Sequence, residues 1–223
     1  MNPKLIIFDL DGTLLDSLND LSAAVNYAME RQGFPQHTRD EYMKMVGRGA
    51  RNLMKQAMPT DQQNDDALVD AVLADFRAYY NTHIDVFTQP FPGMQQLVET
   101  LHHEGVLLAV ASNKFQDGTE RLIKEFFPGI PFVAILGNRP GCPLKPDPEV
   151  VGEVLRKAGV NKEEAIMVGD SDTDMKTAEN GGIDAIAVSW GYRDMKGIPG
   201  LTVVDSAEAL LKMINTPEIH SKM

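Results

Sequence analysis

The sequence has one cysteine and no long run of apolar residues, and both absences narrow what the protein can be. Cys142 stands alone among 223 residues, which excludes an internal disulfide and any zinc site built from several cysteines. No apolar stretch approaches the roughly 20 residues that cross a bilayer. The short run after Lys4 ends at Asp9 with no small-residue cleavage site. We therefore expect a cytoplasmic protein that does not associate with membranes.

Basic residues are also scarce: 21 lysines and arginines stand against 32 acidic residues, for a net charge of −11. Because no basic patch is visible in the sequence, nucleic acid is not expected as a partner. A small anion can still bind an acidic chain where a metal ion and a few local cations dominate the field of a pocket. The 43% of hydrophobic residues is enough for a sizeable core.

Four short apolar runs recur, each followed by polar or glycine-rich residues: 5–8, 106–111, 165–168 and 185–188. None alternates between apolar and polar residues, which is typical of strands buried on both faces of a parallel sheet. Two weaker strand candidates lie at 132–136 and, at an edge, 201–204. Helical patterns separate these runs, at 93–104, 117–127, 147–158, 172–180 and 206–214. The alternation predicts an α/β fold with a doubly wound parallel sheet.

Residues 16–86 interrupt the alternation of strands and helices, because they contain helical patterns and no convincing strand. The first pattern begins after Ser17, a potential helix cap, with Asp20 near the positive end of the helix dipole. It stops at Gly33 and Pro35. Further patterns follow at about 39–46, 49–58 and 62–83.

We therefore expect a helical cap domain at 16–86, inserted into an α/β core domain made of 1–15 and 87–223. The sequence TQPFPG at 88–93 is rich in turn formers and is expected to form the return hinge.

Polar residues that can bind ligands or take part in catalysis follow the predicted strands, at the edge where an open α/β sheet binds its ligands. The first run is followed by Asp9, Asp11, Gly12 and Thr13, and the second by Ser112, Asn113 and Lys114. The third is followed by GDSDTD at 169–174, and a separate loop carries Lys145. If the strands are parallel neighbours, all four groups converge on one rim of the sheet.

Such a rim would bring several carboxylates near one lysine: Asp9, Asp11, Asp170, Asp172 and Asp174. Like charges a few Å apart repel by roughly 4 kcal/mol per pair at an effective dielectric of about 20. Either several of these carboxyl groups are protonated or a divalent cation neutralises them. Oxygen ligands without histidine favour Mg²⁺. Of the five, Asp172 is expected at the start of a helix rather than at the metal.

A protein-bound Mg²⁺ with open coordination positions usually binds the oxygens of a phosphate group. Ser112 and Asn113 can donate hydrogen bonds to it, Lys145 supplies a compact charge, and Gly12 permits close approach of the backbone. An aspartate can act as a nucleophile that forms an aspartyl-phosphate. A second aspartate two residues on is then placed as general acid and base.

The motifs DLDGT at 9–13, Ser112, Lys145 and GDSDTD at 169–174 resemble, in order and spacing, those of the haloacid dehalogenase-like hydrolase superfamily. The resemblance covers nearly the whole chain and implies a Rossmann-like core with a helical cap of the C1 type. It also implies that Asp9 is the nucleophile and a metal ligand. Asp11 would be the general acid/base and would bind the metal through its backbone carbonyl. It further implies that Asp170 and Asp174 support the metal ion, while Ser112 and Lys145 hold the phosphoryl group.

Three segments, 45–58, 91–114 and 188–194, further resemble the phosphoglycolate phosphatase branch. This implies a small phosphomonoester substrate, with 2-phosphoglycolate the leading candidate. Arg48 stands where that branch would have asparagine, and a cap arginine facing the pocket would suit a substrate carboxylate. Pyrophosphatase, β-phosphoglucomutase-type phosphotransferase and a non-catalytic phosphate-binding regulatory module remain alternatives. The sequence is compatible with a monomer or a homodimer.

Overall fold

A computed structural model of the chain describes residues 3–216 and contains a six-stranded parallel sheet. The strands, in chain order, are β1 Leu5–Phe8, β2 Leu15–Asp16, β3 Gln89–Pro90, β4 Leu107–Phe115, β5 Ala134–Asn138, β6 Ala165–Gly169, β7 Asp184–Val188 and β8 Val203–Val204. The sheet order is β5-β4-β1-β6-β7-β8, whereas β2 and β3 form a separate antiparallel pair. The predicted α/β class and parallel sheet are confirmed.

Helices cover both faces of this sheet. They are α1 Leu18–Arg31, α2 Arg39–Met45, α3 Ala50–Ala57, α4 Asp66–Tyr80, α5 Met94–His103, α6 Gln116–Phe126, α7 Glu149–Ala158, α8 Asp172–Gly181 and α9 Ala207–Asn215. In the central strand, Leu5 and Ile7 belong to one apolar cluster, and Ile6 and Phe8 belong to the other. Because successive side chains of a strand point to opposite faces, β1 must be apolar throughout, which explains its lack of alternation.

The helices α1 to α4 lie in the chain between β2 and β3, and we call residues 16–86 the helical insert. The pairing of β2 with β3 joins the two points where the chain leaves and re-enters the sheet region. Asp20 strengthens this junction, because its buried carboxylate accepts hydrogen bonds from the backbone N–H of Phe87, at 3.0 Å, and of Thr88, at 2.8 Å. The Thr88 hydroxyl donates a further hydrogen bond to Asp20 at 2.7 Å.

Several predicted boundaries shift in the structure. β4 continues to Phe115, four residues beyond the expected end, so that Ser112, Asn113 and Lys114 belong to the strand itself. β8 is limited to Val203–Val204, and α4 is shorter than the expected 62–83. The expected core domain runs to residue 223, of which 217–223 lie outside the described residues.

One capping expectation is wrong. Ser17 is the residue before α1, but its side chain makes no cap hydrogen bond. Its hydroxyl instead donates to the Asp11 carboxylate at 2.5 Å. A charge-assisted bond to a carboxylate is stronger than a neutral bond to a backbone amide, which explains the preference. None of the helices within residues 3–216 has both the length and the apolar character needed to span a membrane.

Candidate active site

The polar groups predicted from the sequence meet at the carboxyl ends of three adjacent strands. Asp9 follows β1, and its backbone N–H donates to the carbonyl of Val168 in β6 at 2.9 Å. Ser112 lies near the end of β4 on one side of β1, and Asp170 follows β6 on the other side. Parallel pairing of β1 with both neighbours therefore produces the convergence that the motif order suggests.

Three buried carboxylates form the centre of the site. Asp9, Asp170 and Asp174 each offer an oxygen atom, and these atoms all lie within 4.8 Å of one another. The ammonium of Lys145 lies 2.8 Å from an Asp9 oxygen and 2.7 Å from an Asp174 oxygen. The second oxygen of Asp174 accepts hydrogen bonds from the backbone and the hydroxyl of Ser171, which completes a capping box at the start of α8.

Burial and mutual repulsion raise the affinity of this cluster for positive charge. Burial, reinforced by the charge of Asp174, raises the pKa of Asp9 well above its usual value in spite of Lys145. The same two causes raise the pKa of Asp170 to about 7, against a lowering contribution from the hydrogen bond with Tyr192 N–H. Burial lowers the pKa of Lys145, but the carboxylates of Asp174 and Asp9 outweigh it and the net shift is upward. One lysine is thus too little charge for three carboxylates.

The backbone around Asp170 leaves space for little besides glycine. A Cβ atom on Gly12, whose φ is +92°, would lie 2.4 Å from an Asp170 oxygen. A Cβ atom on Gly191 would lie 2.2 Å from the Asp170 Cβ. The carboxylate oxygens, their burial and their surplus negative charge fit a hard divalent cation such as Mg²⁺.

Asp11 lies at the edge of the acidic cluster and is held from two sides. Ser17 donates to its carboxylate, and the ammonium of Lys114 lies 2.9 Å and 3.2 Å from its two oxygens. Lys114 also donates to the phenol oxygen of Tyr80 in α4, at 2.6 Å. These contacts fix the carboxylate of Asp11 and link the sheet to the helical insert.

Asn113 positions the loop that carries Lys145. Its side-chain oxygen accepts a hydrogen bond from the Lys145 N–H at 2.8 Å, and its amide group donates to the Lys145 carbonyl at 3.0 Å. The same amide group donates to Gly47 of the helical insert, also at 3.0 Å. The Ser112 hydroxyl accepts the N–H of Lys114 at 3.2 Å. Thr13 is fully buried, and its carbonyl accepts a hydrogen bond from the indole of Trp190 at 3.1 Å.

A small cavity opens between the insert and the sheet. Its volume is about 50 Å³. The sheet contributes polar residues to its wall: Asp9, Asp11, Ser112, Asn113 and Lys114. The insert contributes mostly apolar ones, among them Leu21, Val46, Leu53 and Phe76.

Further contacts fasten residues 43–48 of the insert to the sheet side. The guanidinium of Arg193 donates to the carbonyls of Met43, Lys44 and Val46 at the end of α2. Arg48 lies outside the cavity wall, with 67% of its side chain exposed, and pairs with Asp172 at 3.3 Å. Asp172 is the first residue of α8, and its carboxylate is exposed rather than part of the acidic cluster.

Sequence reasoning left four contacting residues without a role: Tyr80, Lys114, Tyr192 and Arg193. The one signal for Lys114 is its place directly after the second apolar run, beside Ser112 and Asn113, in residues that look like a loop in the sequence. Tyr80 carries no such signal, since it reaches the site only through the packing of α4.

A family model described as haloacid dehalogenase-like hydrolase matches residues 6–188. The chain therefore belongs to the haloacid dehalogenase-like hydrolases. Within them it falls in the phosphoglycolate phosphatase-like branch, and both parts of the resemblance are confirmed.

Two curated relatives illustrate this similarity. The chain is 34% identical over 195 residues to a phosphoglycolate phosphatase of Mesorhizobium japonicum, which covers 87% of this chain and 86% of the relative. It is 31% identical over 222 residues to a phosphoglycolate phosphatase of Agrobacterium fabrum, with 98% and 93% covered.

Solved structures agree with the sequence comparisons. A chain from Lactobacillus delbrueckii subsp. bulgaricus, provisionally described as a phosphoglycolate phosphatase, is 34% identical and superposes with a TM-score of 0.87, covering 96% of this chain and 99% of that one. A predicted phosphoglycolate phosphatase from Haemophilus somnus is 26% identical with a TM-score of 0.86, covering 96% and 98%.

Proposed function

We propose that the protein is a Mg²⁺-dependent phosphatase that hydrolyses a small phosphomonoester, with 2-phosphoglycolate as the leading substrate. The observation that carries this proposal is the buried cluster of Asp9, Asp170, Asp174 and Lys145, with Asp11 beside it. The similarity to phosphoglycolate phosphatases supports the choice of substrate. The small cavity supports a substrate of few atoms.

In the proposed reaction, a carboxylate oxygen of Asp9 attacks phosphorus and the ester oxygen leaves. Asp11 gives its proton to the departing alcohol and then takes one from the water that cleaves the aspartyl-phosphate. Ser112, Gly12, Thr13 and Lys145 are the proposed phosphate-binding residues, and Arg48 is a candidate at the outer edge. Asn113, also expected to bind phosphate, instead donates both amide N–H groups to the carbonyls of Lys145 and Gly47 and is proposed to position the Lys145 loop. The helical insert acts as a cap that limits the access of water.

Asp9, Asp170 and Asp174, with the backbone carbonyl of Asp11, would hold the Mg²⁺ ion. When bound, the ion supplies positive charge to the phosphate oxygens and to the crowded carboxylates. Lys145 keeps Asp9 oriented and favours its ionised form, because its ammonium is hydrogen-bonded to that carboxylate. Cytoplasmic location stays a prediction.

Phosphate release from a panel of substrates tests this proposal: 2-phosphoglycolate, sugar phosphates, nucleotides and pyrophosphate, each with Mg²⁺ and with a chelator. We expect release that requires Mg²⁺, is highest for 2-phosphoglycolate and is lost in Asp9→Asn. Preference for pyrophosphate or transfer between sugar hydroxyls would favour the pyrophosphatase or the mutase instead. Absence of release from every substrate by folded protein would contradict phosphatase activity.

Asp184→Asn provides the matched control for Asp9→Asn. Asp184 begins β7 at the opposite end of the sheet, where its side chain is exposed. The same loss of one carboxylate at that position should leave phosphate release unchanged.

A further inference from the structure

The cavity beside Asp11 contains a cation that the proposed reaction does not use. Among the described residues that line this cavity, Lys114 is the only lysine or arginine. Its side chain is only 3% exposed. A lysine ammonium is costly to bury, so a residue that served only to fill space would be better replaced by an apolar one.

One of the hydrogen bonds made by Lys114 is long enough for a ligand to replace it. Within residues 3–216, its ammonium group donates only to Asp11 and to the Tyr80 phenol oxygen. It also lies 4.8 Å from the centre of the Tyr80 ring. An ammonium group has three N–H donors, and these contacts occupy all three, so a ligand in the cavity would replace the longest of them, the 3.2 Å contact with the second Asp11 oxygen.

The other basic groups near the site are less well placed to meet the far end of a substrate. Lys145 is bound to the carboxylates of Asp9 and Asp174. Arg48 is turned towards Asp172, and its side chain is mostly exposed.

We infer that Lys114 binds the carboxylate carried by the leaving group of the substrate. This inference rests on the proposed function, in which Asp11 lies next to the ester oxygen. A group hydrogen-bonded to Asp11 at 2.9 Å is then within reach of a substituent one carbon beyond that oxygen. The structure thus favours phosphate esters of short 2-hydroxy acids, in which a single carbon separates the ester oxygen from the carboxylate. Leu53 and Phe76 give the same cavity an apolar wall.

The test compares kcat/KM for 2-phosphoglycolate with that for ethyl phosphate, which has the same chain length but no carboxylate. In Lys114→Gln, a hydrogen-bond donor to Asp11 is kept and the charge is lost. We expect the preference for 2-phosphoglycolate over ethyl phosphate to fall by about 10- to 100-fold, as for the loss of one charge-assisted hydrogen bond. Lys114→Met should show at least the same loss of preference.

Two kinetic results would overturn the inference. If both substrates lose kcat/KM equally in the Lys114 variants, Lys114 only positions Asp11. If Arg48→Met lowers the preference and Lys114→Gln does not, Arg48 is the residue that binds the carboxylate.

Binding measurements separate this inference from the proposed function. Calorimetry of 2-phosphoglycolate with Asp9→Asn, alone and combined with Lys114→Gln, needs no turnover. Weaker binding by about 10-fold or more in the double variant supports the inference, and equal binding contradicts it. A failure of the phosphatase proposal would give a different result: wild-type protein would release no more phosphate than Asp9→Asn.

Inhibition of wild-type protein provides a readout that does not depend on the folding of any variant. Glycolate should compete with the substrate, whereas its neutral amide, glycolamide, should be at least about 10-fold weaker. Equal inhibition by the two compounds would contradict recognition of a carboxylate.

Discussion

At the scale of single residues, the site depends on how closely the backbone approaches Asp170. Gly12 and Gly191 both lie against this side chain, and a Cβ atom on either would come within 2.5 Å of another atom. The Tyr192 N–H donates to the Asp170 carboxylate at 2.6 Å. Because Gly191 immediately precedes Tyr192, a displacement of this turn would move the carboxylate as well.

Gly191→Ala should therefore disturb the acidic cluster through steric overlap, since its φ is not in the left-handed region. We expect a loss of about 1–3 kcal/mol in the free energy of unfolding, typical of overpacking, and a fall of about 10-fold or more in phosphate release. Chemical denaturation and steady-state kinetics measure the two effects.

Gly152→Ala is the matched control. Gly152 lies within α7, where the nearest atom to a new Cβ would be the flexible end of Arg156 at 3.2 Å. Alanine has the higher helix propensity, so this variant should be as stable as wild type or more so. Wild-type activity and stability in Gly191→Ala would contradict the tight packing around Asp170.

The sequence was informative about residues whose type and spacing carry the chemistry. Asp9, Asp170, Asp174 and Lys145 were expected to meet, and they do. Lys114 was missed as a partner of Asp11, and Tyr80 as a partner of Lys114, because the contact of Lys114 with Tyr80 joins a strand to a helix far away in the chain. The spacing of residues says little about such a pair.

At the scale of secondary-structure elements, Arg193 connects the loop after β7 to the end of α2. Its guanidinium donates to three carbonyls of the insert. Carbonyl groups at the end of a helix have no partner within the helix, and the dipole there favours a cation. This contact holds the insert against the sheet side of the cavity.

Arg193→Met should weaken that contact and favour an open position of the insert. We expect KM to rise by about 10-fold, with a smaller fall in kcat, and the free energy of unfolding to fall by about 1–3 kcal/mol. Substrate-dependent kinetics and denaturation test both parts.

Arg156→Met removes a guanidinium of the same size from the exposed face of α7, where it pairs with Glu149. Exposed ion pairs contribute little, so this control should change stability by less than about 1 kcal/mol. Equal effects of the two substitutions on KM would contradict a closing role for Arg193.

The elements themselves were largely predictable, because strands buried on both faces and amphipathic helices leave strong patterns. The end of β4 was not, since Ser112, Asn113 and Lys114 are polar and look like a loop. They remain in the strand because the edge of the site gives them partners, as with the amide of Asn113. Ser17 was misjudged for a related reason: the sequence shows a capping residue but not the competing carboxylate.

At the scale of the whole molecule, a net charge of −11 is combined with a buried acidic cluster. The pKa of Asp170 rises from 3.8 to about 7 on folding, chiefly through burial and the charge of Asp174. The folded protein therefore keeps a proton that the unfolded chain loses. By linkage, this group lowers the free energy of unfolding as pH rises from about 4 to about 7 in the absence of metal.

Mg²⁺ should relieve this cost at neutral pH and have less effect in acid, where protons occupy the cluster. We expect Mg²⁺ to raise the melting temperature more at pH 7.5 than at pH 5, measured against the same buffers with chelator. In Asp170→Asn the difference between the two pH values should shrink. An equal rise at both pH values in wild-type protein would contradict a cation site at these carboxylates.

The most direct test of the account asks whether Asp9 carries a phosphoryl group during the reaction. Acetyl phosphate is a suitable donor, because it is small and its acetate leaving group needs no proton from Asp11. After mixing with acetyl phosphate and Mg²⁺, acid quenching and peptide mass analysis, Asp11→Asn should hold one phosphoryl group on Asp9, whereas wild-type protein should turn over without accumulating it. Turnover of Asp11→Asn at the wild-type rate, or a phosphoryl group on another residue, would contradict the account; a stable phosphoryl group on wild-type Asp9 would indicate the regulatory module instead.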